Sequence, residues 1–143
     1  MSLPDGFESW ISAHHQAVLA TSRSDGTPQT SNISFAWFDG AAHVSVTADR
    51  AKTRNLQRFP RAVLHVLGDT FWQYAAVTSA ASTSPVSEQP GDEAGRALLR
   101  VYETIRGEAH PDPDEFFAAM VTDRRLVVSL VAESVTGSGL PWQ

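Results

Sequence analysis

Cysteine is absent from the 143-residue chain, which excludes disulfides, thiol catalysis and thiolate-bound metals and is compatible with the cytosol. Lysine is nearly absent, with Lys52 as its single representative. No apolar run approaches the length needed to span a bilayer. Residues Met1–Ile11 carry Asp5 and Glu8 and show no signal-peptide pattern, so a soluble, cytoplasmic protein is expected. No G-x-G-x-x-G follows a strand, which argues against a Rossmann-type sheet. No serine stands in a G-x-S-x-G setting, and no Ser/His/Asp set is marked. His14 and His15 are adjacent and cannot readily face one metal, while His43, His65 and His110 are isolated, so no metal site is expected. Internal repeats and low-complexity tracts are missing too.

What the chain does have is an ordinary globular composition, 42% hydrophobic and 19% charged, in a length that suits one domain over residues 1–143. Its formal charge is −5, yet five of its eleven basic residues (Arg50, Lys52, Arg54, Arg58 and Arg61) fall in one central stretch. A local basic patch on an acidic chain suits a small anionic ligand better than a nucleic-acid backbone, which needs an extended basic face. The stretch Ser45–Pro60 reads as the end of a strand turning at Asp49 into a short helix that Pro60 closes. Asp49 is the expected N-cap. Arg50, Lys52 and Arg54 then crowd a helix end whose dipole is already positive, which folding alone does not favour. A phosphate there would reverse the sign, because free N–H groups, dipole and cations would converge on one anion. Read alone, such a cluster is more often a solvated basic helix balancing an acidic surface.

Around this stretch the periodicity predicts a helix over residues 4–14, a strand over 16–22, and a turn at Ser24–Pro28. A strand over 29–38 follows, with Ile33, Phe35 and Trp37 on one face and Asn32, Ser34 and Ala36 on the other. Asp39-Gly40 marks a hairpin into a strand over 42–47, so the first half reads as a three-stranded meander. Strands over 61–67 and 71–83 come next, then a loop over 84–91 and helices starting at Asp92 and near Asp112 or Asp114. A strand over 125–135 leads to a tail, Thr136–Gln143, expected to be flexible, whose Trp142 is either a lid or a loose end. Trp72 and Tyr74, two apart, share a strand face and fill a core or interface, or else wall a site for a flat heterocycle; spacing favours the first. Six strands with hairpin turns and helical crossovers predict a mainly antiparallel barrel with flanking helices. One good anion site with few candidate acids or bases suits a protein whose cofactor carries the chemistry.

Four segments, V-L-A-T-S-R-S-D-G-T-P-Q-T-S-N at Val18–Asn32, D-R-A-K-T-R-N-L at Asp49–Leu56, W-Q-Y-A at Trp72–Ala75 and A-M-V-T-D-R-R at Ala119–Arg125, extend the reading. In this order and spacing they resemble the split β-barrel family of pyridoxamine 5′-phosphate oxidase-like proteins, and within it the actinobacterial branch that binds the deazaflavin coenzyme F420. The resemblance implies a six-stranded split β-barrel of the FMN-binding type, forming a homodimer with a cofactor in each groove between subunits. It implies that Arg50 and Lys52 hold the cofactor phosphate, that Ser31, Asn32 and Ser45 approach from neighbouring strands, and that Thr53 and Asn55 complete the helix-terminal cradle. It also implies that Trp72 and Tyr74 lie near the partner's ring system. One departure concerns the pocket: many relatives carry a glycine in the strand after the tryptophan, where this chain runs Val77-Thr78-Ser79-Ala80-Ala81.

The expected activity is that of an F420-dependent reductase, passing hydride from the reduced deazaflavin to an unsaturated organic substrate, with no side chain assigned a catalytic role. The alternatives are an FMN-dependent oxidase or reductase on the same fold and a non-catalytic F420-binding or storage protein.

Overall fold

A computed structural model describes residues 2–143. Seven strands form one sheet, in the order β2-β1-β5-β6-β7-β4-β3, with every neighbouring pair antiparallel. The elements are α1 (Phe7–Ser12), β1 (Gln16–Ser22), β2 (Pro28–Ser34), β3 (Ala36–Phe38), β4 (Ala41–Thr47), α2 (Ala51–Arg58), β5 (Arg61–Leu67), β6 (Tyr74–Thr83), α3 (Glu93–Arg106), α4 (Pro113–Thr122) and β7 (Arg125–Ser138). The architecture is a mainly-β split half-barrel with flanking helices.

The seventh strand corrects the expected six, and its origin is local. The strand read over 29–38 divides at Phe35: its backbone N–H donates to the His15 carbonyl at 2.8 Å as the last rung with β1, and Ala36–Phe38 pair with β4 instead. Phe35 is fully buried, and the break sends β2 to one edge of the sheet and β3 to the other. The expected meander is therefore two hairpins, β1–β2 and β3–β4. The second turns through Asp39 (φ 52°) and Gly40 (φ 74°), the pair of left-handed residues that a tight hairpin requires.

Alternation along the strands points Leu19, Val44, Val46, Leu64, Val66, Val77, Leu126, Val128 and Leu130 into one core, closed by Phe7 and Ile11 of α1 and Leu56 of α2. A second, smaller core lies on the opposite side of the sheet, where Leu98, Val101 and Phe116 of the α3–α4 pair cover Ala36 and Val127. Asp92 caps α3 by accepting from the Gly95 amide at 2.8 Å, and the amides of Glu88 and Gly95 hold its carboxyl well below the usual range. Gly107, in the left-handed region at φ 74°, ends that helix.

Two further expectations change. The residues read as a flexible tail are packed: Thr136–Ser138 belong to β7, Leu140 is buried, and Trp142 meets Phe7 and Trp10 edge-on at ring distances of 5.9 and 6.1 Å. The strand expected over 71–83 begins at Tyr74 instead, leaving Phe71 and Trp72 on the β5–β6 turn, 84% and 76% exposed. Within β6 the run Val77–Ala81 meets an irregularity in β7: Thr78 pairs with Ser134 and Ser79 with Ala132, so Glu133 is the extra residue of a bulge. Its carboxylate pairs with Arg61.

Candidate functional site: a cationic groove between α2 and β7

The ends of β4, α2 and β7 bring the site together. Thr47 pairs with Arg125, and Ser45 with Val127, so Ser45 and Arg125 lie near each other where α2 departs. The cap of α2 differs from expectation. Arg50, not Asp49, occupies the N-cap position, and no side chain caps the helix. Asp49 is exposed one residue earlier; the Thr47 hydroxyl, chiefly, holds its carboxyl below the usual range. The first-turn amides of α2 therefore lack a side-chain acceptor.

Lys52 is half-buried just beyond that end. Burial, with Arg50 and Arg125 adding repulsion, pushes its ammonium pKa below the ordinary 10.5. Among the described residues, neither the Arg50 nor the Lys52 side chain has an ion-pair or hydrogen-bond partner. Arg125 is partly engaged: Nη1 donates to Ser45 Oγ at 3.2 Å, and Nε lies 3.7 Å from the Asp123 carboxylate. Three cations thus converge on an uncapped helix N-terminus with two carboxylates, Asp49 and Asp123, at the margin, an arrangement that a phosphate would relieve.

The groove runs on from these cations. Ser45 and Arg125 line a cavity of about 390 Å³ against α3 and α4, and Ser34 connects it to a hollow of about 280 Å³ lined by Asn32 and Leu67. Ser45 and Asn32 thus border neighbouring hollows, and Arg125, close enough to Lys52 to repel it, stands between the first hollow and α2. Ser31 lines neither hollow. It shares the inward face of β2 with Gln29 and Ile33, and its Oγ is buried without a hydrogen-bond partner.

Thr53 and Asn55 also turn away from the groove. Thr53 is fully buried and donates to the Thr47 carbonyl at 2.8 Å, fastening α2 to the end of β4. Asn55 donates to Thr21 Oγ1 at 3.1 Å and Gln29 Oε1 at 2.9 Å, while its own oxygen accepts from Arg58. Both are fixtures that orient the helix, so the expected cradle is built around α2 rather than from them. Asn55→Ala should destabilise the chain by about 2–3 kcal/mol, since it strands buried polar partners. Urea denaturation measures this, and a loss under about 0.5 kcal/mol would refute the anchoring role.

Trp72 and Tyr74 do not share a strand face. Trp72 stands on the turn, edge-on to Phe71 at 4.7 Å, while Tyr74 stacks on His65 at 4.8 Å on the outer face of the sheet. Neither borders the groove of its own chain. The sequence reading missed Arg125 and Ser34 as groove residues. Pairing of β4 with β7 is what brings Arg125 to Ser45, and nothing local in D-R-R announced it.

Residues 3–137 match the family model described as pyridoxamine 5′-phosphate oxidase, and the chain belongs to that family. Similar solved structures include one named F420 reductase, 24% identical, with TM-score 0.69 over 93% of this chain and 98% of that one. A conserved hypothetical protein from Mycobacterium tuberculosis is likewise 24% identical, with TM-score 0.71 over 100% of this chain and 91% of its own. The haem storage protein of Vibrio cholerae, 15% identical, matches at TM-score 0.68 over 98% and 97%. At these identities the likeness is one of fold. No helix among the described residues is long and apolar enough to cross a membrane.

Proposed function

We propose that the chain is an F420-dependent oxidoreductase whose groove anchors the cofactor phosphate on Arg50 and Lys52, with Arg125 adding positive charge nearby. One observation carries the reading: three cations meet at an uncapped helix N-terminus in a chain of net charge −5, and the half-buried Lys52 lacks a partner. The family's oxidoreductase character supports it, as does the fold shared with a protein named F420 reductase. When bound, reduced F420 supplies the hydride that an unsaturated organic acceptor takes up. The chain's share is to bind and to orient: the cations fix the phosphate, Ser45 and Asn32 offer polar contacts along the strands, and the apolar α3–α4 wall excludes water beside the groove. FMN also carries a phosphate and is the alternative that these cations admit.

A homodimer belongs to the same proposal. Phe71 and Trp72 form an apolar tip exposed to solvent in the single chain, and a partner's groove is the surface that would cover it. Trp72→Ala should leave the stability of the chain within about 0.5 kcal/mol, as for an exposed residue. It should also weaken cofactor binding about 3- to 10-fold, the worth of one aromatic contact. Unchanged affinity would remove the tip from the site.

The deciding experiment titrates the protein with F420 and, separately, with FMN, following tryptophan fluorescence. Saturable quenching by F420 alone, lost in Lys52→Met, supports the reading. Preference for FMN overturns the cofactor but keeps the phosphate site, and indifference to both overturns the function.

A further inference from the structure

Arg125, alone of the three cations, lines the cavity of about 390 Å³ between α3, α4 and the outer face of β4 and β7, within the size range of small-molecule sites. Its walls divide by chemistry. Leu98, Tyr102, Ile105, Phe116 and Met120 give an apolar side, while Arg125 stands with Ser45, Ser34 and the Asp123 carboxylate at the polar end. The Arg125 side chain is only 32% exposed and is held by the Ser45 hydroxyl. Asp123, half exposed, forms an ion pair at the Nε edge at 3.7 Å, too long for a hydrogen bond, and leaves the Nη2 edge without a partner. The guanidinium therefore keeps N–H donors to spare at the end of a hydrocarbon-lined cavity.

Three kinds of occupant can be compared. A wholly apolar molecule would cover the arginine and leave its remaining donors without water or acceptor. A cation would be repelled by Arg125 and by the neighbouring Lys52 and Arg50. An organic acid with an apolar body satisfies both ends, because its carboxylate can take two parallel N–H donors from the guanidinium while the body fills the space against Ile105 and Met120.

We propose that the α3–α4 cavity binds an amphipathic monocarboxylic acid, its carboxylate on Arg125 and its apolar body between α3 and α4. This goes beyond the cofactor reading and does not depend on which phosphate ligand meets Arg50 and Lys52. The body is either an acyl chain or a flat ring system, and the two are separable by experiment.

Calorimetric titration of the full chain with octanoate, 2-naphthoate and 1-octanol tests it. At least one acid should bind once per chain, ten-fold or more tighter than 1-octanol. Tighter binding of octanoate supports an acyl body and tighter binding of 2-naphthoate a flat one. Arg125→Gln should erase the preference for acid over alcohol. Met120→Trp, which fills the apolar half, should abolish binding of all three, and Ile105→Trp serves the same purpose should the first variant fail to fold. Lys52→Met should leave acid binding within three-fold while losing the phosphate ligand, so failure of the cofactor reading and failure of this one are distinguishable. Equal affinity for octanoate and 1-octanol, absence of binding by both acids, or unchanged affinity in the folded tryptophan variants would overturn the proposal.

Discussion

Lys52→Met should weaken binding of the phosphate-bearing cofactor about 10- to 150-fold, the range for losing one charge-assisted hydrogen bond. The same substitution should leave the ligand-free chain as stable as before, or raise its Tm by roughly 1–2 °C, the shift that a few tenths of a kcal/mol produces in a domain of this size. The opposition follows from the setting of the ammonium, half-buried and repelled by Arg50 and Arg125. Methionine keeps the apolar stem that packs there and removes the charge. A sign can also be assigned to pH. The lowered pKa of Lys52 means that, between that value and 10.5, the unfolded chain binds more protons than the folded one. Stability attributable to this residue therefore rises with pH through that window, and the advantage of Lys52→Met should shrink as pH approaches 10.5. Thermal melts of both chains at pH 7 and at pH 10, with and without ligand, check both statements. A methionine variant less stable than its parent at pH 7 and unchanged in affinity would mean that the cation serves the fold and not a ligand.

Gly137→Ala should be the most destabilising single methyl addition considered, at about 3 kcal/mol or a Tm fall near 10 °C. The added Cβ would run into the backbone carbonyl oxygen of Tyr74, with Leu140 Cδ1 at 2.8 Å and Ala75 Cα at 3.1 Å. Two of these obstacles are backbone, which cannot rotate away as a flexible side chain can. Gly137 faces Ala75 across the β6–β7 ladder, so relief requires prising apart a pair of central strands. Differential scanning calorimetry of the variant tests this, and a Tm within 2 °C of the parent would show that the ladder has slack there.

The sequence read most reliably where period and punctuation agreed. The apolar runs of 16–22 and 61–67, the Asp39-Gly40 turn, and the helix start at Asp92 each state their own structure within a few residues, although 61–67, apolar on both faces, is fully buried on one face only. The split of the 29–38 strand was hidden because its alternation continues through Phe35: Ile33, Phe35 and Trp37 all reach the main core, and only the partner changes, from β1 up to Phe35 to β4 from Ala36 onwards. The site divides in the same way. Arg50 and Lys52 were legible as charges that the helix dipole should disfavour. Thr53 and Asn55 looked like the same cradle, yet both are buried and taken up by the fold, Thr53 by the Thr47 carbonyl and Asn55 by Thr21 and Gln29. Arg125 was legible only as part of a segment match, since its partner Ser45 is eighty residues away in the chain.

The position of β7 carries a consequence for how the molecule comes into being. It lies between β6 and β4, and it is the strand that joins the β2-β1-β5-β6 block to the β4-β3 hairpin. Translation delivers it after every other strand described here. Until Arg125–Ser138 is available, the nascent chain holds two sheet fragments, each exposing one edge to water and to other chains. Closure must wait for contacts as distant in sequence as Ser45 with Val127, which places this chain among slow, high-contact-order folders. The cation cluster is completed in that same last step, so a chain able to hold its ligand is one that has already finished folding.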